Sequence, residues 1–366
     1  MAKLAVLGAG NGGQALSGHL ALLGHDVGLY EHPNFADKLS PISKAGGITL
    51  TGTIEGFGKL RCATADANEA IQGTEVLFLV VPSFGQMPIL QEILPFLRKG
   101  MRILFIPGNF GTLEAAKLLR DCGVDIGLSE TDTLPYACRA TAPGEVNIWG
   151  TKKAISFASF PGKYTASDLS CIQSVFPFRL NPLSNVLEAG LMNMNMVIHC
   201  AGVLLNIGRI EATQGNFRFY TDGVTPSVGK LQELIDSERL AVGQALGLAL
   251  TDAKEWVRKA YAVQGESLSD LLSKNPAYGN HGPDAPKSIT HRYVTEDAPN
   301  LLVPLLELAK ACNLQAPITS SVLSILSALV NEDFTGKGRN LTRLGLDGKS
   351  QDQIRSYVMN GNMSLS

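Results

Sequence analysis

From its first residues the chain alternates short apolar runs with longer stretches of helical spacing. Residues 4–7 are an apolar run of strand length, and residues 12–23 carry apolar side chains at helical intervals until Gly24 closes the pattern. Residues 25–31 read as a second strand. Residues 48–50 and the neighbourhood of Gly56 read as a short β excursion. The run Val-Leu-Phe-Leu-Val-Val at 76–81 is apolar throughout, as a strand covered on both faces must be, and Pro82 ends it. A helix over 87–94 is stopped by Pro95, a strand follows at 102–106 and a helix at 111–121. Residues 146–149 and 154–158 predict a hairpin at the far edge of the sheet. The alternation predicts an α/β fold with a Rossmann-type, doubly wound parallel sheet. Beyond 183 the strand signals stop, and 186–211, 228–246, 251–262, 268–273, 299–312 and 317–330 all read helical. The expected organisation is therefore a dinucleotide-binding domain over 1–183 and an all-α C-terminal domain over 184–366, divided near Asn181-Pro182.

Composition adds limits to that picture. At 366 residues, two domains are the default, and 45% hydrophobic against 17% charged residues supplies a sizeable core for each. The net charge of −2, without basic blocks, gives nucleic acid no electrostatic footprint. The six cysteines show no C-x-x-C pair, so reduced thiols in a cytoplasmic protein are expected. A strand begins at once, so no signal peptide is expected. The apolar stretch 189–205 carries Asn193, Asn195 and His199 and reads as a buried core helix, not as a membrane span. The polar stretch 360–366 reads as a frayed end. The apolar helices would serve a homodimer as well as a monomer's core.

Candidate chemistry starts at the end of the first strand. Gly8-Ala9-Gly10-Asn11-Gly12-Gly13 contains Gly8-x-Gly10-x-x-Gly13 between a strand and a helix, where bare backbone N–H groups can meet a pyrophosphate. Glu31 ends the next strand 21 positions after Gly10, the place for an acid that accepts from the adenine ribose hydroxyls and repels a 2′-phosphate. NAD is thus favoured, with NADP kept open by the imidazole of His32. Val81-Pro82 ends a central strand at the expected crevice; packing near the cofactor and ordinary strand termination both account for it.

In the helix read over 186–211, Asn195 and His199 stand one turn apart, with Glu188 and Met192 extending the stripe. An amide beside an imidazole suits acid/base chemistry at an interdomain cleft, although a buried histidine can equally be a core residue. A second polar cluster spans 290–297. Its Arg292 suits a carboxylate clamp or a surface ion pair. Its Asp297 suits either a partner for His199 or an N-cap before Pro299. The six histidines show no metal-binding spacing, so no metal is expected.

The chain resembles the NAD(P)-dependent opine dehydrogenases, the octopine and nopaline dehydrogenase family, and above all the bacterial N-(1-carboxyethyl)-amino-acid dehydrogenases. The resemblance covers nearly the whole chain. It rests on the glycine-rich turn, on residues 133–139 (TLPYACR), 193–199 (NMNMVIH), 223–229 (GVTPSVG) and 275–278 (NPAY), and on Arg292-Tyr293 followed by Glu296-Asp297. It implies an enzyme that joins a 2-oxo acid, often pyruvate, to the amine of an amino acid and reduces the imine with NAD(P)H. It also implies a helical domain like that of 6-phosphogluconate dehydrogenase. Carried over, His199 is the general acid/base, Asp297 its charge partner and Arg292 the carboxylate anchor. Asn195 hydrogen-bonds substrate or nicotinamide, and Thr133 and Cys138 line the pocket near the amino donor. Asp132 is a candidate contact for that donor's charge, or else a solvated loop carboxylate. Hydroxyacid and ketopantoate-type reductases share the layout but typically carry a lysine on the long helix, and 186–211 has none. A non-catalytic NAD-binding protein is the remaining alternative.

Overall fold

The computed structural model describes residues 1–275 and 284–361. Part of the 275–278 motif, His281, and the tail from 362 onward lie outside the described residues. The strands are β1 (Lys3–Leu7), β2 (Asp26–Tyr30), β3 (Gly47–Gly52), β4 (Gly56–Lys59), β5 (Cys62–Thr64), β6 (Val76–Leu79), β7 (Arg102–Phe105), β8 (Gly127–Thr131), β9 (Tyr136–Ala142), β10 (Glu145–Thr151), β11 (Ala154–Phe160) and β12 (Arg179–Pro182). The helices among them are α1 (Asn11–Leu22), α2 (Leu39–Ala45), α3 (Ala67–Ile71), α4 (Ser83–Ile93), α5 (Gly111–Asp121), α6 (Thr165–Gln173) and α7 (Val186–Leu191). Then follow α8 (Asn195–Thr213), α9 (Pro226–Ala245), α10 (Ala253–Tyr261), α11 (Leu268–Ser273), α12 (Arg292–Thr295), α13 (Val303–Ala311), α14 (Pro317–Val330), α15 (Phe334–Lys337) and α16 (Gln351–Asn360).

Contacts divide the chain into two compact units: Met1–Gly190 with the stretch from Ser356, and Leu191–Arg355. The sequence reading divides the chain seven residues earlier and gives the whole C-terminal stretch to the helical domain.

The first unit is built on an eight-stranded sheet in the order β12-β11-β8-β7-β6-β1-β2-β5. Apart from β11 against β8, every neighbouring pair in it is parallel. The chain runs from β1 to β2 on one side and then continues with β6 on the other. The strand order therefore reverses at β1, and the C-terminal ends of β1 and β6 frame the crevice where doubly wound sheets bind ligands. A four-stranded sheet, β4-β3-β10-β9, packs against α1. This sheet corrects the expected hairpin: β10 pairs with β9 and β3, whereas β11 pairs with β8 and β12 in the large sheet. The turn at Lys152-Lys153 passes from one sheet to the other, so two adjacent strand signals do not make a pair.

The second unit is helical. Arg239 on α9 is wholly buried, and three partners hold its guanidinium: the Asp236 carboxylate at 2.7 Å, the Leu191 carbonyl at 2.9 Å and the Thr251 carbonyl at 2.7 Å. Such saturation is what makes a buried charge tolerable. Gln232 on α9 donates to the Ile198 carbonyl of α8 at 2.8 Å, next to His199. The helix expected over 186–211 is two helices, interrupted between Leu191 and Asn195. The residues of the break, Met192, Asn193 and Met194, are themselves buried, so no polar stretch announces it. The break makes Asn195 the first residue of α8.

Candidate active site

The glycine-rich turn joins β1 to α1. A Cβ on Gly8 would lie 2.3 Å from Val81 Cγ1 and 2.6 Å from the Val80 carbonyl, and one on Gly13 would lie 1.8 Å from the Gly8 carbonyl. Only glycine fits either position. A Cβ on Gly10 would meet no atom within 4 Å. Gly10 is the N-cap of α1 and the open position of the turn. The arrangement fits a dinucleotide: two glycines shape the turn and the third leaves the helix N-terminus accessible to a pyrophosphate. Val81 and Pro82 are half-buried at the end of β6, and the Val81 side chain is what presses on Gly8.

Glu31 is not a solvated strand-end carboxylate. It is buried; Oε2 accepts from the Ala9 N–H at 2.8 Å and Oε1 from the His32 N–H at 2.9 Å. The carboxylate therefore ties the end of β2 to the middle of the glycine turn. Asn11 ties the same turn to the small sheet: its Oδ1 accepts from the Ala140 N–H at 3.0 Å, and its carbonyl accepts from the Cys138 thiol at 3.5 Å. Cys138 thus lies against the glycine turn, and so does Leu134, whose Cδ1 would meet a Cβ on Gly12 at 2.9 Å. Burial pushes the Cys138 thiol up to about 11.

Asp132 is not a solvated loop carboxylate, which corrects that expectation. It is buried, and its Oδ1 accepts from the Ser156 N–H at 2.9 Å. Burial raises its carboxyl, and the charge of Lys152 opposes that rise. The Lys152 ammonium donates to Thr133 Oγ1 at 2.6 Å, so Thr133 too has a local partner.

A turn that the sequence reading passed over follows β7. Asn109 and Phe110 both have left-handed backbones, at φ 54° and 66°. A buried phenylalanine in that conformation is strained. Glu130 holds the turn, accepting from the Phe110 and Thr112 N–H groups at 3.2 Å each. Asn109 donates to Ser83 Oγ at 2.9 Å, which links the ends of β6 and β7. No apolar periodicity marks such a turn.

In the second unit, His199 lies one turn into α8 and is 5% exposed. Its Nδ1 is 2.7 Å from Asp297 Oδ2, although the two residues are 98 positions apart in sequence. Asp297 occupies the N-cap position before the π-helical turn Ala298–Leu302, yet its side chain makes no capping bond there. The carboxylate reaches the imidazole instead. Irregular turns of this kind recur at functional sites. Tyr293 stacks on His199 with centroids 3.7 Å apart and planes at 15°, and Tyr220 Oη lies 2.9 Å from Nε2. The sequence reading assigns neither tyrosine a role, although Tyr293 is part of the Arg292-Tyr293 motif. Burial raises the Tyr293 hydroxyl. His291 caps α12 by accepting from the Tyr293 N–H at 3.3 Å.

Arg292, on α12, is 56% exposed, and its Nε lies 3.0 Å from a carboxylate oxygen of the buried Glu296. Asn195 is half-buried, and its backbone N–H donates to Asn193 Oδ1 at 3.0 Å. Glu188 does not extend the stripe of Asn195 and His199. It lies on α7 and accepts from the Ser184 N–H at 2.8 Å. Met192 falls in the break between α7 and α8.

Residues 182–330 match the family model of the NAD/NADP octopine/nopaline dehydrogenase alpha-helical domain. Residues 3–108 match that of the NAD-dependent glycerol-3-phosphate dehydrogenase N-terminus. An opine dehydrogenase of Arthrobacter sp. (strain 1C) is 35% identical over 97% of this chain and 98% of its own. The protein ocs of Agrobacterium tumefaciens (strain Ach5) is 29% identical over 97% of this chain and 98% of its own. Among solved structures, an octopine dehydrogenase in complex with NADH and agmatine superposes with a TM-score of 0.80, covering 99% of this chain and 98% of that one at 22% identity.

Proposed function

The chain belongs to the opine dehydrogenase family, and from that premise we propose how its residues carry out the family reaction. It is an NAD(P)-dependent oxidoreductase of the CH–NH bond, condensing a 2-oxo acid reductively with the amine of an amino acid. Pyruvate is our assignment for the oxo acid.

The observation that carries the site assignment is the buried His199–Asp297 pair. An ionised aspartate only accepts, so Nδ1 carries the hydrogen and Nε2 is left to take or give a proton. Condensation needs this exchange, because the carbinolamine hydroxyl leaves only once it is protonated. Arg292 anchors the carboxylate of the oxo acid; Glu296 fixes one edge of the guanidinium, and the exposed remainder is presented to substrate. Asn195, one turn before His199, donates its amide to the substrate. The glycine turn with Asn11 seats the pyrophosphate. Glu31 takes the ribose hydroxyls with its remaining acceptor capacity, and its charge favours NADH over NADPH. When bound, the reduced nicotinamide supplies the hydride. We also assign the enzyme to the cytoplasm, a reading supported by its six free thiols.

The test follows NADH and NADPH oxidation with pyruvate against a panel of amino acids. The expected result is oxidation that requires both pyruvate and an amino acid. Oxidation with the oxo acid alone would make the chain a hydroxyacid dehydrogenase. Replacing His199 by alanine should lower kcat by about 10²- to 10⁴-fold while NADH binding stays intact.

A further inference from the structure

His199 has no bare nitrogen. Asp297 holds Nδ1 at 2.7 Å and the Tyr220 hydroxyl holds Nε2 at 2.9 Å. Tyr293 covers one ring face at 3.7 Å, and Phe219 approaches edge-on at 6.2 Å. With Nδ1 committed to the carboxylate, neutral His199 accepts from Tyr220 at Nε2, and protonated His199 donates to it.

The segment that bears Tyr220 is docked firmly on α8. A Cβ on Gly202 would lie 2.8 Å from the Phe219 ring, so the bare glycine is what admits that ring. The Asn206 amide of α8 donates to the Gly223 carbonyl at 2.9 Å. Tyr220 is therefore built into the same wall as the imidazole, with its hydroxyl on Nε2.

We propose that Tyr220 relays the proton between His199 and the reacting substrate. This rests on the reading of His199 as the acid/base of an opine dehydrogenase. In the condensation, the Tyr220 O–H bond breaks as its proton joins the carbinolamine hydroxyl. The C–O bond cleaves with its electron pair, and water leaves. The nitrogen lone pair forms the C=N bond. The tyrosine oxygen meanwhile takes the hydrogen from Nε2 of the imidazolium, so the positive charge that began on His199 ends on the iminium nitrogen. The phenol is regenerated in the same step, and no oxidant or reductant enters.

The experiment uses the full-length enzyme with NADH and the oxo acid and amino acid that the panel identifies. A proton inventory of wild-type kcat in H₂O/D₂O mixtures should be curved, because two protons move together; a linear plot overturns the relay. In Tyr220→Phe the ring stays and one oxygen goes. Its kcat should fall by about 10²-fold or more, as loss of a positioned proton donor does, with KM for the oxo acid little changed. Residual turnover should give a linear inventory. NADH binding and melting temperature should match wild type. Retention of kcat within threefold, or a change confined to KM, would make Tyr220 a cap that substrate displaces and would overturn the relay. Failure of the underlying reading looks different: His199→Ala would keep its turnover, or the wild type would need no amine.

Discussion

Asp297 has two possible uses for its carboxylate. It precedes Pro299 at a helical turn, where a capping bond would be ordinary, and it faces an imidazole. The geometry gives the carboxylate to His199. An amide in its place would no longer fix which ring nitrogen carries the hydrogen. We expect Asp297→Asn to lower kcat by about 10²- to 10⁴-fold, with NADH affinity unchanged by fluorescence titration. A kcat within threefold of wild type would sink the assignment. Cys138 makes a different case, a pocket-lining thiol that burial holds in its protonated form. With its thiol pushed up to about 11, roughly one molecule in a thousand is thiolate at pH 8. An ordinary thiol near 8.5 would be about a quarter ionised at that pH. Iodoacetamide at pH 8 should therefore label the exposed Cys122 and leave Cys138 unmodified, as read by peptide mass spectrometry of the folded enzyme.

Among the elements, the turn between β1 and α1 separates packing from binding within six residues. Gly13→Ala must move backbone, since the new carbon would sit 1.8 Å from the Gly8 carbonyl, and melting temperature should fall sharply. Gly10→Ala meets open space at φ −74°, so stability should hold within about 1 kcal/mol while NADH binds at least tenfold more weakly. Equal NADH affinity in Gly10→Ala and wild type would remove the pyrophosphate from this turn. The turn was legible in the sequence because close backbone approach leaves a spacing of glycines, and the parallel strands because burial on both faces leaves apolar runs. Other features left no such mark. Strand β9 reads Tyr-Ala-Cys-Arg-Ala-Thr-Ala, so no apolar run announces it. The break between α7 and α8 is apolar on both sides. Tyr220 meets His199 only through the packing of its segment on α8, which no spacing encodes. The choice of Asp297 between cap and partner depends on a residue 98 positions away.

Across the whole molecule, the path of the chain departs most from its reading as two consecutive domains. It leaves the first unit after Gly190 and rejoins it at Ser356, within α16. The side chains that rejoin are substantial. Tyr357 and Val358 are buried, the Tyr357 ring lies 5.2 Å from that of Phe160, and its hydroxyl accepts from Arg120 at 3.3 Å. Asn185 donates to the Met359 sulfur at 3.7 Å. The sequence reading has no helix beyond 330 and gives the whole stretch to the helical domain by proximity, because an apolar face does not say which unit receives it. The assignment has a thermodynamic consequence. Removing a buried aromatic side chain costs about 3–5 kcal/mol, which in a unit of this size lowers the melting temperature by roughly 6–20 °C. NADH stabilises whichever unit carries the glycine turn, because a ligand raises the stability of the state that binds it. In differential scanning calorimetry, the transition that NADH raises should therefore be the one that Tyr357→Ala lowers. If the variant lowers only an NADH-insensitive transition, the end of α16 belongs energetically to the helical unit. If the molecule melts in one step, a fall of less than about 2 °C refutes the anchoring role of Tyr357, since a side chain packed as this one is cannot be removed so cheaply.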